Sequence, residues 1–389
     1  MARLRVLVLL STFVVMSIVG AIAILYARGY RLQSGKNITL KPTGLLVANS
    51  DPTAAQVFVS GQLKTATDNS ISLPPGTYTV AIKKEGYLNW EKSITIEKEV
   101  VTQVDAFLVS TAPSLTALTF SGAINPKASE DFSKIAYVVP PATDNIERAG
   151  LWIMETINLP LGFNRDPRRI TDGDLREATF EFSPDAREIL LTTPNGVFLL
   201  NASEFTPQAL RTNITTQLQE TKEEWGEIKS TRLAAKIAPL PDEIEKVFSE
   251  VADNILYSPD ENRILYTATA QGEIPENLVR HLPGSSTQTQ ERKLSPGKKY
   301  VYDIREDRNF AVAESEELVY WISNSINLVS PSASEIAVMD YDGTNKKTVF
   351  SGSYVYPIAY PSTNVNRLLL LTNFGASDSI TNLYWLSLK

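Results

Sequence analysis

The 389-residue sequence contains no cysteine and a single histidine, His281. The first absence removes disulfides, thiol nucleophiles and every zinc site built on Cys. The second leaves any Ser-His-Asp apparatus dependent on His281, and no G-x-S-x-G elbow accompanies it. Metal sites based on histidine need more than one such ligand. Phosphate-cradling glycine loops are missing as well, since neither G-x-x-x-x-G-K nor G-x-G-x-x-G occurs. Basic charge is scarce in most of the chain. Lys and Arg number 37 against 44 Asp and Glu, and six of those bases lie in residues 1–41, which hold no acid. The rest is therefore more acidic than the overall net charge of −7. A broad nucleic-acid surface needs clustered Lys and Arg, so no nucleic-acid partner is expected.

Acids are plentiful, but abundance alone is no signal for the paired carboxylates of glycoside hydrolysis. Asp340-Tyr341-Asp342-Gly343-Thr344-Asn345 invites a calcium reading, yet it lacks the spaced ligands and distal Glu of an EF-hand loop. It reads as a β-turn, and so does Thr171-Asp172-Gly173-Asp174. No catalytic, cofactor-binding or metal-ligating residue is assigned, and no cofactor is expected.

What the chain does have begins with "MARLRVLVLLSTFVVMSIVGAIAILYARGYR". The 22 residues from Val6 to Ala27 carry no charge. About 20 apolar residues in a helix match a hydrocarbon core roughly 30 Å thick. An uncleaved transmembrane anchor over residues 1–30 is the first reading. A cleaved signal peptide competes with it, because Ala21-Ile22-Ala23 offers an A-x-A pattern. Arginines flank both ends, so the positive-inside bias is weak. The very short N-terminal tail and the acidic body favour a cytoplasmic N-terminus with the body outside.

Residues 43–110 alternate repeatedly with period two. "TYTVAIK" puts Tyr78, Val80 and Ile82 on one face, "SITIE" does the same with Ile94 and Ile96, and "AQVFVSG" with Val57 and Val59. "GLLVANS" (44–50) and "VVTQVDAFL", with Val104, Ala106 and Leu108, complete about five short strands. A small antiparallel β-sandwich follows. Gly76 and Gly86 suit turns with positive φ. Tyr87 and Trp90 read as packing against the small core; the functional alternative is an aromatic platform for sugar or peptide.

The stretch "DPTAAQVFVSGQ…ISLPPGTYTVAIKKEGYLNWEKSITIEKEVVTQVDAFL" resembles a PEGA domain, most specifically in "LPPGTYTV" and "KEGYLNW". The name-giving tetrad falls on Pro52-Thr53-Ala54-Ala55, with Thr53 and Ala54 in place of Glu and Gly. The resemblance implies a surface-exposed β module of the cell envelope rather than chemistry.

Residues 113–389 carry a loose repeat of a Ser/Pro/Asp turn, a strand, a gap and a second strand rich in aromatics. Its units pair 129–139 with 151–155, 182–193 with 196–203, 257–268 with 299–307, 305–315 with 318–323, and 360–373 with 382–388. A period of roughly 40–55 residues points to propeller blades, about five or six in this length. The turns Ser183-Pro184-Asp185 and Ser258-Pro259-Asp260, with "DYDGTNKKTVF", resemble the TolB-type, WD40-like repeat.

Residues 221–254 break the pattern with helical spacing. Ile244, Val247, Phe248 and Val251 share one face after Pro241 and Asp242. A one- or two-helix insertion is expected, either a cap on the propeller or a docking element. Residues 282–299 read as an exposed, mobile polar loop.

The fold expected is thus mainly β: an N-terminal transmembrane helix, a PEGA-like sandwich, and a propeller with a helical insertion. The function expected is a membrane-anchored envelope binding or scaffold protein, not an enzyme, engaging an envelope protein or a cell-surface glycan. The alternative is a propeller-based glycosidase or lyase using carboxylates at the channel mouth.

Overall fold

The computed structural model describes residues 2–27, 30–33, 39–142, 146–157, 166–280, 282–374 and 380–389. His281 lies outside them. Contacts divide the chain into two units, Met1–Leu108 with Arg280–Thr289, and Val109–Val279 with Gln290–Lys389.

The first unit starts with helix α1 (Ala2–Ala27). Its stretch Leu7–Ala27 is long and apolar enough to cross a membrane, and none of the described residues covers it. A sandwich follows. One sheet orders Asn69–Leu73, Gly44–Asp51 and Val101–Phe107; the other orders Gln62–Ala66, Gln56–Val59, Gly76–Lys83 and Trp90–Ile96. The alternation seats Val57, Val59, Val80, Ile82, Ile94 and Ile96 in the core between the sheets. Two features differ from expectation. Gly44–Asp51 and Val101–Phe107 pair in parallel, so the sandwich is not wholly antiparallel. Two further strands, Gln62–Ala66 and Asn69–Leu73, are largely exposed and give no apolar rhythm to read. Ser60 and Gly61 both take positive φ, as a two-residue hairpin of type I′ requires.

The second unit holds five four-stranded antiparallel sheets among the described residues. Blade 1 is Ile124–Ala128, Lys134–Val139, Gly150–Glu155 and Arg168–Asp172. Blade 2 is Thr179–Phe182, Glu188–Thr193, Gly196–Asn201 and Thr212–Asn213. Blade 3 is Ala252–Tyr257, Arg263–Ala268, Lys298–Asp303 and Arg308–Glu314. Blade 4 is Tyr320–Trp321, Asn327–Pro331, Glu335–Asp340 and Lys347–Ser351. Blade 5 is Ala359–Pro361, Arg367–Thr372, Asn382–Ser387 and, as its outer strand, Leu115–Ala117. That last pairing, with Leu115 opposite Leu386, joins the start of the unit to its end and closes a propeller. The stretch 305–323, read above as one repeat, is the outer strand of blade 3 followed by the inner strand of blade 4.

One turn recurs between the first two strands of a blade. In blades 1, 2 and 3 a serine hydroxyl donates to the aspartate two residues on, Ser129 to Asp131 at 2.7 Å, Ser183 to Asp185 at 2.7 Å and Ser258 to Asp260 at 2.6 Å. The same hydroxyl accepts the N–H of Lys134, Glu188 or Arg263. The residue after the aspartate, Phe132, Ala186 or Glu261, takes positive φ. Blades 4 and 5 place Asn324 and Asn364 at the aspartate position. Burial pushes the Asp131 carboxyl up, but hydrogen bonds from Ser129 and Ser133 outweigh it and hold the carboxyl below its ordinary range. The Ser183 hydroxyl lowers Asp185 directly.

The expected insertion is two helices, α2 (Leu218–Ile237) and α3 (Asp242–Val251). Pro241 precedes α3, and Asp242, Glu243 and Glu245 crowd its first turn, where negative charge suits the helix dipole. Trp225 of α2 packs against Leu190 and Val197 of blade 2. Ile244 and Phe248 of α3 pack against Tyr266, Tyr300 and Tyr302 of blade 3. The opposite faces of those blades are already occupied: Ile189 and Leu191 meet blade 1, and Leu265 and Val301 meet blade 4. The helices therefore stand between blades 2 and 3, as a sixth sector rather than a cap. Arg232 donates to the Pro184 carbonyl at 2.7 Å, and Lys236 pairs with Glu261 at 2.8 Å, so α2 ties to the turns of both blades.

Phe248 is 2% exposed and meets the Tyr266 ring edge-on at 5.1 Å. Phe248→Ala is expected to cost about 3–5 kcal/mol, read as a lower denaturant midpoint. Asp131→Asn keeps the acceptor oxygen but cannot titrate. A lowered carboxylate stabilises the fold above its unfolded pKa, and that stability is lost as pH falls through the lowered value. The variant should thus lose about 0.5–1.5 kcal/mol at neutral pH and show a shallower loss of stability on acidification.

Candidate functional site

One position recurs at the same level in every blade. Lys127, Glu181, Leu256, Tyr320 and Tyr360 each lie on the inner strand, opposite Ala136, Leu190, Leu265, Val329 and Leu369 of the second strand. Each stands two residues before its blade's turn. Their neighbours Pro126, Phe180, Phe182, Trp321 and Ala359 are buried, whereas Lys127 and Glu181 are exposed, Leu256 is 40% exposed, and the two tyrosines are half-buried. Directly paired residues share a sheet face, so each of the five lies on the face of its buried partner, at the innermost strand of its blade.

Ring contacts show where the set points. Phe132, from the positive-φ position of blade 1, lies 5.6 Å from Tyr320 of blade 4 and 6.0 Å from Tyr360 of blade 5. Tyr320 and Tyr360 are 6.2 Å apart. Blades 1 and 4 are not neighbours in the ring, so these side chains meet on the propeller axis. Burial raises the phenol of Tyr320, with a smaller contribution from Tyr356. It pushes Tyr360 up to about 12. The Tyr360 hydroxyl donates to the Pro126 carbonyl at 3.2 Å.

The remaining ring positions are polar or aliphatic. Glu181 pairs with Lys222 of α2 at 3.4 Å, which brings the helical sector into the same ring. The channel therefore has an aromatic side, from blades 4, 5 and 1, and a charged side at Lys127, Glu181 and Lys222. Aromatic faces with a nearby cation suit adhesion to a sugar or peptide surface. Glycosidase chemistry uses two carboxylates on either side of the bond cleaved. Among the five ring positions one is a carboxylate, and it is engaged by lysine. A second concavity of about 240 Å³ lies between blades 1 and 5, with Trp385, Asp166 and Arg367 on its walls. Its Glu155 is held by Arg168 at 2.8 Å.

The residues weighed from sequence fall elsewhere. Trp90 is 3% exposed and Tyr87 packs beside it on the sandwich core, so the platform reading gives way to packing. Asp342 accepts from the Thr344 N–H and hydroxyl, and Asp340 accepts from Asn327 and Asn345, as a turn would have it. Asp172 accepts the Gln208 N–H, and Asp174 pairs with Arg176 at 2.6 Å. Among the described residues no group of three His, Cys, Asp or Glu could hold a metal. Sequence reading missed the ring because its members share no chemistry; counting two residues back from each turn is the signal that finds them.

Fold and ring together define a β-propeller protein with a small β-sandwich ahead of it. Residues 43–112 match the PEGA domain family. The recognised pair, a PEGA domain followed by a propeller, is borne out. No curated protein matches the chain. Among solved structures, TolB from Acinetobacter baumannii is 15% identical, covering 80% of this chain and 59% of that one, at a TM-score of 0.19. Oligogalacturonate lyase from Vibrio parahaemolyticus is 9% identical, covering 90% of each chain, at 0.23. An acylaminoacyl peptidase from Pyrococcus horikoshii is 12% identical, covering 69% of this chain and 39% of that one, at 0.22. The chain thus spans less than two thirds of the TolB and peptidase lengths. At such scores these likenesses carry no argument, and the propeller stands on its own sheet order.

Removing the Phe132 ring readmits water to Tyr320. In Phe132→Ala the Tyr320 phenol is expected to ionise at lower pH than in the parent, followed by ultraviolet titration against a Tyr320→Phe control. The lost ring contacts should cost on the order of 1 kcal/mol.

Proposed function

We propose that the protein is a membrane-anchored, extracytoplasmic binding or scaffold protein of the bacterial cell envelope, engaging an envelope protein or a surface glycan without turning it over. The observation that carries this reading is α1. Its stretch Leu7–Ala27 is apolar on every side and, among the described residues, has no protein packed on it, which suits a lipid surround. PEGA domains are extracytoplasmic, which supports a body on the outside. In this reading the basic start of α1, with Arg3 and Arg5, stays inside, and the helix remains as an anchor rather than being cleaved. The aromatic side of the channel supports binding, because tyrosines add contact area at low entropic cost. The helices between blades 2 and 3 serve the propeller's own packing in this reading, rather than docking to a further membrane protein.

Two fractionations test the proposal. Full-length protein should stay with membranes through an alkaline carbonate wash, and protease added to spheroplasts should digest its body. Recovery in the cytosol, or a body protected from protease, would overturn it. With a retained envelope protein or glycan in hand, Tyr320→Ala should weaken that retention about 3- to 10-fold, the range for one aromatic contact.

A further inference from the structure

The sandwich has an open side. Trp90–Ile96 is the edge strand of its four-stranded sheet, and Val101–Phe107 is an edge of the three-stranded sheet. Exposed edges are templates for pairing with another chain, and proteins cover them with loops or charges. Here the cover is Arg280–Thr289, a segment that departs between the second and third strands of blade 3 and belongs to the sandwich unit. The Thr95 N–H donates to Thr287 Oγ1 at 3.1 Å, and Gln288 Nε2 donates to the Ser93 carbonyl at 2.7 Å. Those two backbone groups are the ones an added strand would use. Gly284, with φ of +80°, rests against the Val101 carbonyl so closely that a Cβ there would collide with it. Ser285 is 6% exposed. The segment read from sequence as a mobile, exposed loop is instead laid across both edges.

We propose that Arg280–Thr289 is a strap that keeps the Trp90–Ile96 edge from pairing with the same edge of a second copy. The edge is suited to such pairing. Two copies aligned antiparallel about Ser93 set Trp90 opposite Ile96 and Glu91 opposite Thr95, with no like charges opposed. Both residues that turn backbone groups outward, Ser93 and Thr95, would then enter the ladder. Among the described residues the strap meets the Trp90–Ile96 edge through these two side-chain hydrogen bonds, whereas a strand would supply a row of backbone bonds, so the cover is displaceable.

The test uses the full chain in detergent micelles, with protein mass followed by analytical ultracentrifugation. Thr287→Ala with Gln288→Ala removes the two bonds and leaves the segment's backbone intact. Gly284→Val lifts the strap from the Val101 edge. Each variant is expected to self-associate about tenfold more tightly than the parent, and the Thr287→Ala, Gln288→Ala variant, which adds no strain, to retain the parent's melting behaviour. Adding Thr95→Pro, which deletes the edge donor, should return either variant to the parent's mass distribution. Unchanged association in both variants, or association that survives Thr95→Pro, would overturn the proposal.

Discussion

A four-stranded sheet in a propeller has two apolar faces, and neither can be left to water. Most of the second unit's architecture answers to that requirement. Blade 1 meets blade 2 through Val138, Leu151, Ile189 and Leu191, and blade 3 meets blade 4 through Leu265, Val301 and Leu328. Blade 5 covers the remaining face of blade 1 through Leu369, Leu371 and Leu383. Between blades 2 and 3 two faces remain, and they differ in kind. Blade 2 offers Leu190 and Val197, while blade 3 offers three tyrosines. A tyrosine buried in a core must find a partner for its hydroxyl. Tyr266 reaches Asn309 at 2.9 Å, Tyr302 reaches Asp307 at 3.0 Å and Tyr300 reaches Glu291 at 3.2 Å. With their polar ends satisfied inside blade 3, the tyrosines present only rings to α3, and Phe248 packs on them.

Arg263 shows the same logic at the boundary of blades 3 and 4. It is paired with Asp303 at 2.8 Å, stacks on Tyr341 at 4.0 Å and donates to the Ser325 carbonyl at 3.1 Å. Burial lowers its affinity for a proton, yet Asp303, Tyr341 and Asp260 together outweigh this. A buried pair of this kind is weak as a source of stability but strong as a constraint, because removing one partner strands the other. The pair fixes how the blade 3 turn meets the blade 4 turn.

Sequence reading succeeds where one face is buried and fails where burial leaves no rhythm. Tyr78, Val80 and Ile82 were legible because their neighbours face outward, although Ala81 is buried as well. Gln62–Ala66 was not, since nearly all of it is exposed. The parallel pairing of Gly44–Asp51 with Val101–Phe107 leaves no trace in either strand's alternation, because the direction of the partner does not change which residues face the core. In the propeller, strands such as Arg367–Thr372 are covered on both sides and read as apolar runs, from which strand but not blade membership follows. Misgrouping 305–323 had a local cause. Blade 4 marks its turn with Asn324 where three other blades use aspartate, so the punctuation that separates blades was not visible there.

The axial ring is the part of the propeller that this packing requirement does not dictate. At the positions on either side of it, side chains are chosen by the neighbouring blade. Lys127, Glu181, Leu256, Tyr320 and Tyr360 are less buried than those neighbours, and the five share neither size nor charge. Leu256 is apolar and exposed, Lys127 is exposed, and two tyrosines lie together beside Phe132. Packing alone would favour a uniform set of small side chains around a narrow axis. The asymmetry, aromatic on one side and charged on the other, instead gives the channel a direction across its width, which a molecule lying in it would read. Closure by Leu115–Ala117 holds that asymmetry in register, because it fixes blade 5, and with it Tyr360, against blade 1 and Phe132. The strand that completes the propeller is thus also the element that assembles the aromatic side of the channel.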